Sequence, residues 1–165
     1  MGNAATRSLE RVAAAMGVLE SAPIEFQATC DVAQGGVLLA LPALLAAGLL
    51  RRAPEFYQLP NGFYGLESVF LLLALMALAR IRSLEQLRYQ APGEGGKLLG
   101  LDRIPEVRTL RAKWKLLCQD RGRAMRWNAE LAKEGRARQN ATELYFYCDG
   151  HVRVDHGDQT ALPRH

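Results

Sequence analysis

LDRIPEVRTLRAKWKLL, residues 101–117, is the stretch on which the reading of this chain turns. Ile104, Val107, Leu110, Trp114 and Leu117 recur at spacings of three and four, which lays them along one face of a helix. Asp102 or Arg103 precedes that helix. Pro105 suits its first turn, where a missing N–H loses no helical bond, and Glu106 suits the positive end of the helix dipole. Arg108, Arg111 and Lys115 stand about one turn apart, away from the apolar face. One helix thus offers an apolar side to a core and a basic side to solvent or to phosphate. After Gly122 the helical pattern resumes through Met125, Asn128 and Leu131, and Gly135 with the polar run 136–140 is read as its end.

Upstream, residues 91–102 (APGEGGKLLGLD) hold four glycines and a proline and read as a loop with a single turn at Lys97 to Leu99. The glycines fit neither a phosphate-binding P-loop nor a dinucleotide fingerprint, because no strand precedes them and no Lys-Ser/Thr follows. Two apolar stretches come before. GGVLLALPALLAAGLL, residues 35–50, contains Pro42, so a helix there is kinked or begins near it, and Arg51 and Arg52 suit its C-terminal end. Val69 to Ala79 is the second, and it continues as a charged helical pattern through Arg80, Arg82, Glu85 and Arg88. Turn chemistry at Pro54, Pro60, Asn61-Gly62 and Gly65 separates the two. A membrane span needs about 20 apolar residues. The first stretch has 16 uncharged residues from Gly35 to Leu50 and the second 12 from Ser68, so core helices are the preferred reading. A small membrane-associated protein, with 35–50 and 68–82 as an apolar helical hairpin, is the alternative. Residues 1–22 read as a short Ala-rich amphipathic helix ended by Pro23.

Downstream the period changes. Leu144, Phe146 and Cys148 alternate with Tyr145, Tyr147 and Asp149, and Val152 and Val154 alternate with His151, Arg153 and Asp155. Asp149-Gly150 between them is a two-residue hairpin signal. An isolated hairpin is marginal in water, so these two strands call for more sheet than follows in this sequence. The expected fold is therefore mainly α, a multi-helix N-terminal region with a C-terminal β-hairpin.

Hydrophobic residues make up 49% of the 165, enough for a packed core. Formal charge is only +4, but eleven of the 21 Lys and Arg fall between Arg103 and Arg138, against four acids. Location therefore matters more than total charge. Cys30, Cys118 and Cys148 are odd in number and far apart, with no CxxC, which argues against a disulfide framework or a structural zinc site. Arg7, Glu10, Arg11 and Glu20 interrupt any signal-peptide core, and a reduced, cytoplasmic protein is expected.

LDRIPEVRTLRAKWKLL, PGEGGKLLGLDRIPEV, GGVLLALPALLAAGLL and LYFYCDGHVRVDHGDQTALPRH (residues 144–165) together resemble a family of bacterial DDE-type transposases, over residues 23 to the end. The resemblance implies a helical N-terminal region followed by an RNase H-like catalytic domain, of which residues 144 onward would be the truncated start. It implies that Asp149 is the first acidic metal ligand of the catalytic set. Such enzymes cut and join phosphodiesters with two divalent cations, Mg2+ in a complete member, held by several carboxylates. One carboxylate does not suffice, so this chain is expected to need no cofactor and to catalyse nothing alone. Gly95 stands where the family pattern has an aromatic, and Asp155 where it has a Tyr, which fits a drifted copy.

Three segments follow: a helical region at 1–90, a basic helical segment at 91–140, and the hairpin at 141–165. The basic segment reads as helix-turn-helix-like, with Gly100 to Leu117 as its second half. Its expected DNA-binding residues are Arg103, Arg108, Arg111, Lys113, Lys115, Arg121, Arg123 and Arg126, with mobile-element ends as the partner and a homo-oligomer as the assembly. In this chain Asp149 reads first as a plain turn residue, and as a catalytic position it is expected to be idle. Cys148, Asp149, His151, Asp155, His156 and His165 do not converge on one face as a metal site, because strand alternation puts Cys148 opposite Asp149.

Overall fold

The computed structural model describes residues 6–30 and 32–138, and among these every regular element is a helix, with no strand. The elements are α1 (Ser8–Ala15), a 3-10 helix (Gly35–Ala40), α2 (Leu41–Ala46), α3 (Ala53–Phe56), α4 (Leu66–Leu78), a second 3-10 helix (Leu84–Tyr89), α5 (Pro92–Leu99), α6 (Val107–Leu117) and α7 (Arg121–Arg138). The expected hairpin at 141–165, with Asp149, lies outside the described residues.

α4 is the centre. Its sequence is apolar on every side, which is the signature of a helix surrounded by protein. Val69, Leu71, Leu72, Leu75 and Met76 are all buried, and α4 packs against α3, α5 and the first 3-10 helix. At 13 residues it is too short to span a bilayer, and no described helix is long and apolar enough to cross a membrane. The first apolar stretch does not form the other arm of a hairpin either. It divides into the 3-10 helix and α2, and Pro42 sits in the first turn of α2, where the sequence expects a helix to begin. The charged continuation of α4 is also broken: Arg80 takes a left-handed backbone (φ 57°), and the chain restarts at Leu84.

Arg51 and Arg52 do not serve a helix end as expected. Arg51 pairs with Glu134, and Arg52 reaches Glu55, Glu130 and Glu134 at 3.2–3.4 Å, joining the α3 region to α7. The same junction holds an aromatic triangle. Tyr57, Phe70 and Trp127 stand with ring centroids 5.1–5.6 Å apart in tilted and edge-on pairs. Trp127 is thus partly buried, whereas Trp114 is 44% exposed. α7 runs through Gly135 to Arg138, so Gly135 does not end it. Ion pairs from Glu134 to Arg51, Arg52 and Arg138 support its last turns.

The largest correction is at 91–102. The segment read as a loop is α5, an eight-residue helix with Pro92 in its first turn and a Lys97–Glu94 pair at 2.6 Å. Glycine disfavours a helix by about 1 kcal/mol per residue, so propensity alone points to a loop. Tertiary contact overrides it. A Cβ on Gly96 would come within 2.5 Å of the Arg103 backbone, and one on Gly95 within 2.6 Å of the Ile104 side chain. The glycines let the returning chain lie directly on the helix. Gly100 then closes α5 with φ 64°, close against the backbone of Glu25.

Candidate nucleic-acid interface

α6 begins later than expected, at Val107, with Glu106 as the flanking residue and Pro105 outside the helix. Most of the apolar side is buried as read, with Ile104, Val107, Leu110 and Leu117 in the core, but Trp114 of the same face stays exposed. α5 and α6 are joined by Gly100 to Glu106, seven residues. That is longer than the three- or four-residue turn of a helix-turn-helix. The three-residue connection Cys118 to Asp120, between α6 and α7, has that length instead.

The connection that carries Arg103 is held from three sides. Arg11 of α1 donates to both carboxylate oxygens of Asp102 at 2.6 Å, a bidentate, partly buried pair, and lies 4.0 Å from the Phe63 ring centroid. Burial alone would raise the pKa of Asp102. The hydrogen bonds and charge of Arg11 outweigh it and hold the carboxyl below its ordinary value, while Asp102 raises the pKa of the guanidinium. The Tyr64 hydroxyl donates to the Arg103 carbonyl at 3.1 Å, and burial pushes that phenol up. The Ile104 amide donates to the Pro92 carbonyl at 3.0 Å. Arg7, almost fully buried, ties α1 to the same place through Glu10, Glu25 and the Gly100 carbonyl.

Seven of the eight expected DNA-binding residues separate into three groups. Arg103, Arg108 and Lys115 are exposed and have no carboxylate in salt-bridge range among the described residues. Arg111, Arg123 and Arg126 are compensated. Arg111 donates through Nε to Glu85 at 2.9 Å, and that bond holds the Glu85 carboxyl below its ordinary pKa. Arg126 binds Asp120 at 2.5 Å, and Arg123 lies 3.9 Å from Asp120 and over the Tyr57 ring. Asp120 also accepts the Gly122 amide at 2.9 Å, and these bonds lower its pKa, Arg126 foremost. Lys113 differs from both groups: it is half-buried, and desolvation lowers its pKa. Arg121 opens α7.

The structure adds a cation that the basic segment does not contain. Arg88, from the last turn of the second 3-10 helix, lines a hollow of 460 Å³ together with Arg103 and Arg108. It lies outside residues 103–138, and no spacing in the sequence links it to them. The packing of that 3-10 helix on α6 does so.

No group of three His, Cys, Asp or Glu side chains suited to a metal occurs among the described residues, and Asp149 lies outside them. Cys30 and Cys118 are free and exposed.

Arg7, Arg11, Arg51, Arg52, Arg111, Arg123, Arg126 and Arg138 are thus in ion pairs, whereas Arg108 and Lys115 on the solvent face of α6 and Arg103 before it are not, among the described residues. A family model described as "Transposase protein" matches residues 2–165, and the chain belongs to that transposase family. No curated protein and no solved structure matches it.

Proposed function

We propose that this transposase-family chain contacts DNA through the solvent face of α6, with Arg108 and Lys115 on phosphates and Arg103 beside them. The observation that carries this reading is the contrast within the basic segment. Arg111, Arg123 and Arg126 already have carboxylates, whereas Arg103, Arg108 and Lys115 do not. An exposed guanidinium or ammonium without a local counter-charge gains most from a phosphate, because each contact releases condensed counterions. Contacts of that kind set position and affinity rather than sequence choice. Mobile-element ends are the proposed partner, and family membership supports that choice of nucleic acid.

The DDE-type reading goes with this as a proposal. The chemistry needs two divalent cations and several carboxylates. Binding rather than strand transfer is the role proposed for the helical body, with Asp149 idle. Fluorescence anisotropy of a labelled duplex, measured across a salt series, tests the binding. The double variant Arg108→Ala/Lys115→Ala is expected to lose roughly two units of the slope of log K against log salt. An unchanged slope, or no binding by the unaltered chain at low salt, rejects the reading. A divalent-dependent nick abolished by Asp149→Asn would reject the non-catalytic role.

A further inference from the structure

We infer that the hollow between the second 3-10 helix and the start of α6 is a binding site for one phosphate group, with Arg88, Arg103 and Arg108 as its cationic ligands. Three arginines from three separate places line it: the end of a 3-10 helix, the α5–α6 connection and the first turn of α6. One acid, Glu106, lies in the same wall, and none of the three arginines is within salt-bridge range of it or of any other described carboxylate. Glu85, just outside the hollow, is taken by Arg111. Like charges gathered this way repel one another unless an anion joins them.

A second observation is independent of the arginines. The amides of Val107, Arg108 and Thr109 have no hydrogen-bond partner among the described residues, and no side chain caps the helix. Val107 and Arg108 line the hollow, so the uncapped, positive end of an 11-residue helix opens where the arginines gather. Backbone amides at a helix start and guanidinium forks are the two donor types that match tetrahedral oxyanions.

The hollow is also built in advance. Pro92 and Pro105 stiffen its walls. The Arg103 backbone is fixed by Tyr64 and by close approach to Gly96, and its neighbour Asp102 is held by Arg11. The backbone that carries Arg103 needs little ordering on binding, so the ordering cost falls on the three arginine side chains. Its 460 Å³ lies within the roughly 300–1,000 Å³ usual for ligand clefts, so a phosphodiester with its sugar fits as well as a free phosphate. The assignment of that phosphate to DNA rests on the reading above; the anion site does not.

Two titrations of the full chain separate these sources. In the first, calorimetry with inorganic phosphate at constant ionic strength should show a single site. Arg88→Ala should weaken it about tenfold, Arg88→Lys less, and Arg136→Ala, at the far end of α7, not at all. Arg88 is exposed, so the folded state should persist, and circular dichroism checks this. In the second, Arg88→Ala should lower the salt slope for a labelled duplex by about one. Phosphate binding without duplex binding would keep the site and remove the DNA reading. Duplex binding indifferent to Arg88, with no phosphate heat, would remove the site and keep the reading. Absence of both would overturn both.

Discussion

Two sets of arginines divide the labour in this molecule. Arg7, Arg11, Arg51 and Arg52 pair with carboxylates on other parts of the chain, Arg51 at the surface and the others partly or fully buried, and fasten α1 and α7 to the body. Arg88, Arg103 and Arg108 stand around a hollow beyond salt-bridge range of any described carboxylate. The residue type is the same, and its work depends on whether the fold supplies a partner. A guanidinium with a bidentate carboxylate adds to stability. One without a partner adds little to stability and stays available to an anion.

The comparison can be broken at its hinge, the close seat between α5 and the chain that carries Arg103. Gly96→Ala drives a methyl into the backbone at Asp102 and Arg103. The expected loss is about 3 kcal/mol, visible as a fall in the urea midpoint, and phosphate binding should go with it because Arg103 is displaced. Arg11→Met should cost about 2 kcal/mol, since it leaves a partly buried Asp102 without its bidentate partner. Its phosphate affinity in the folded state should stay within about twofold if the paired set is purely structural. A larger drop would show that the two sets are coupled through the Asp102–Arg103 backbone.

The paired set should also carry a pH signature that the open set lacks. The folded-state pKa of Asp102 is lowered, so its contribution to stability is complete above the unfolded value of about 3.9 and fades as pH falls through the folded value. Urea titrations of the unaltered chain and Asp102→Asn should therefore converge in the acid range and stay apart at neutral pH. Convergence at neutral pH would mean the pair is not formed. The smallest effect should come from moving one arginine between the sets. Glu85→Gln releases Arg111, and duplex binding should tighten by roughly threefold at low salt, with a steeper salt dependence. If affinity does not change, Arg111 lies away from the DNA path.

Much of the helical body was legible residue by residue. The spacing of Ile104, Val107, Leu110 and Leu117 placed the buried face of α6, and the run from Val69 showed a helix with no polar side. α5 was not legible, because Gly95 and Gly96 read as a loop until the chain that folds over them is in place. The break at Arg80 and the division of 35–50 were equally hidden, since apolar patterning reports burial but not where a helix is interrupted. The candidate site was half visible. Arg103, Arg108 and Lys115 stood out within a basic run, but so did Arg123 and Arg126, and composition cannot distinguish a paired cation from a free one.

Periodicity and charge clustering are local properties, so a helix-built chain of this transposase family with its basic residues gathered in one segment can be read from the residues alone. Which of those charges remain open is set by packing, which also brings Arg88 to them from outside the segment. Ion pairing joins residues as far apart as Arg11 and Asp102, and no local pattern in the sequence encodes such a partner.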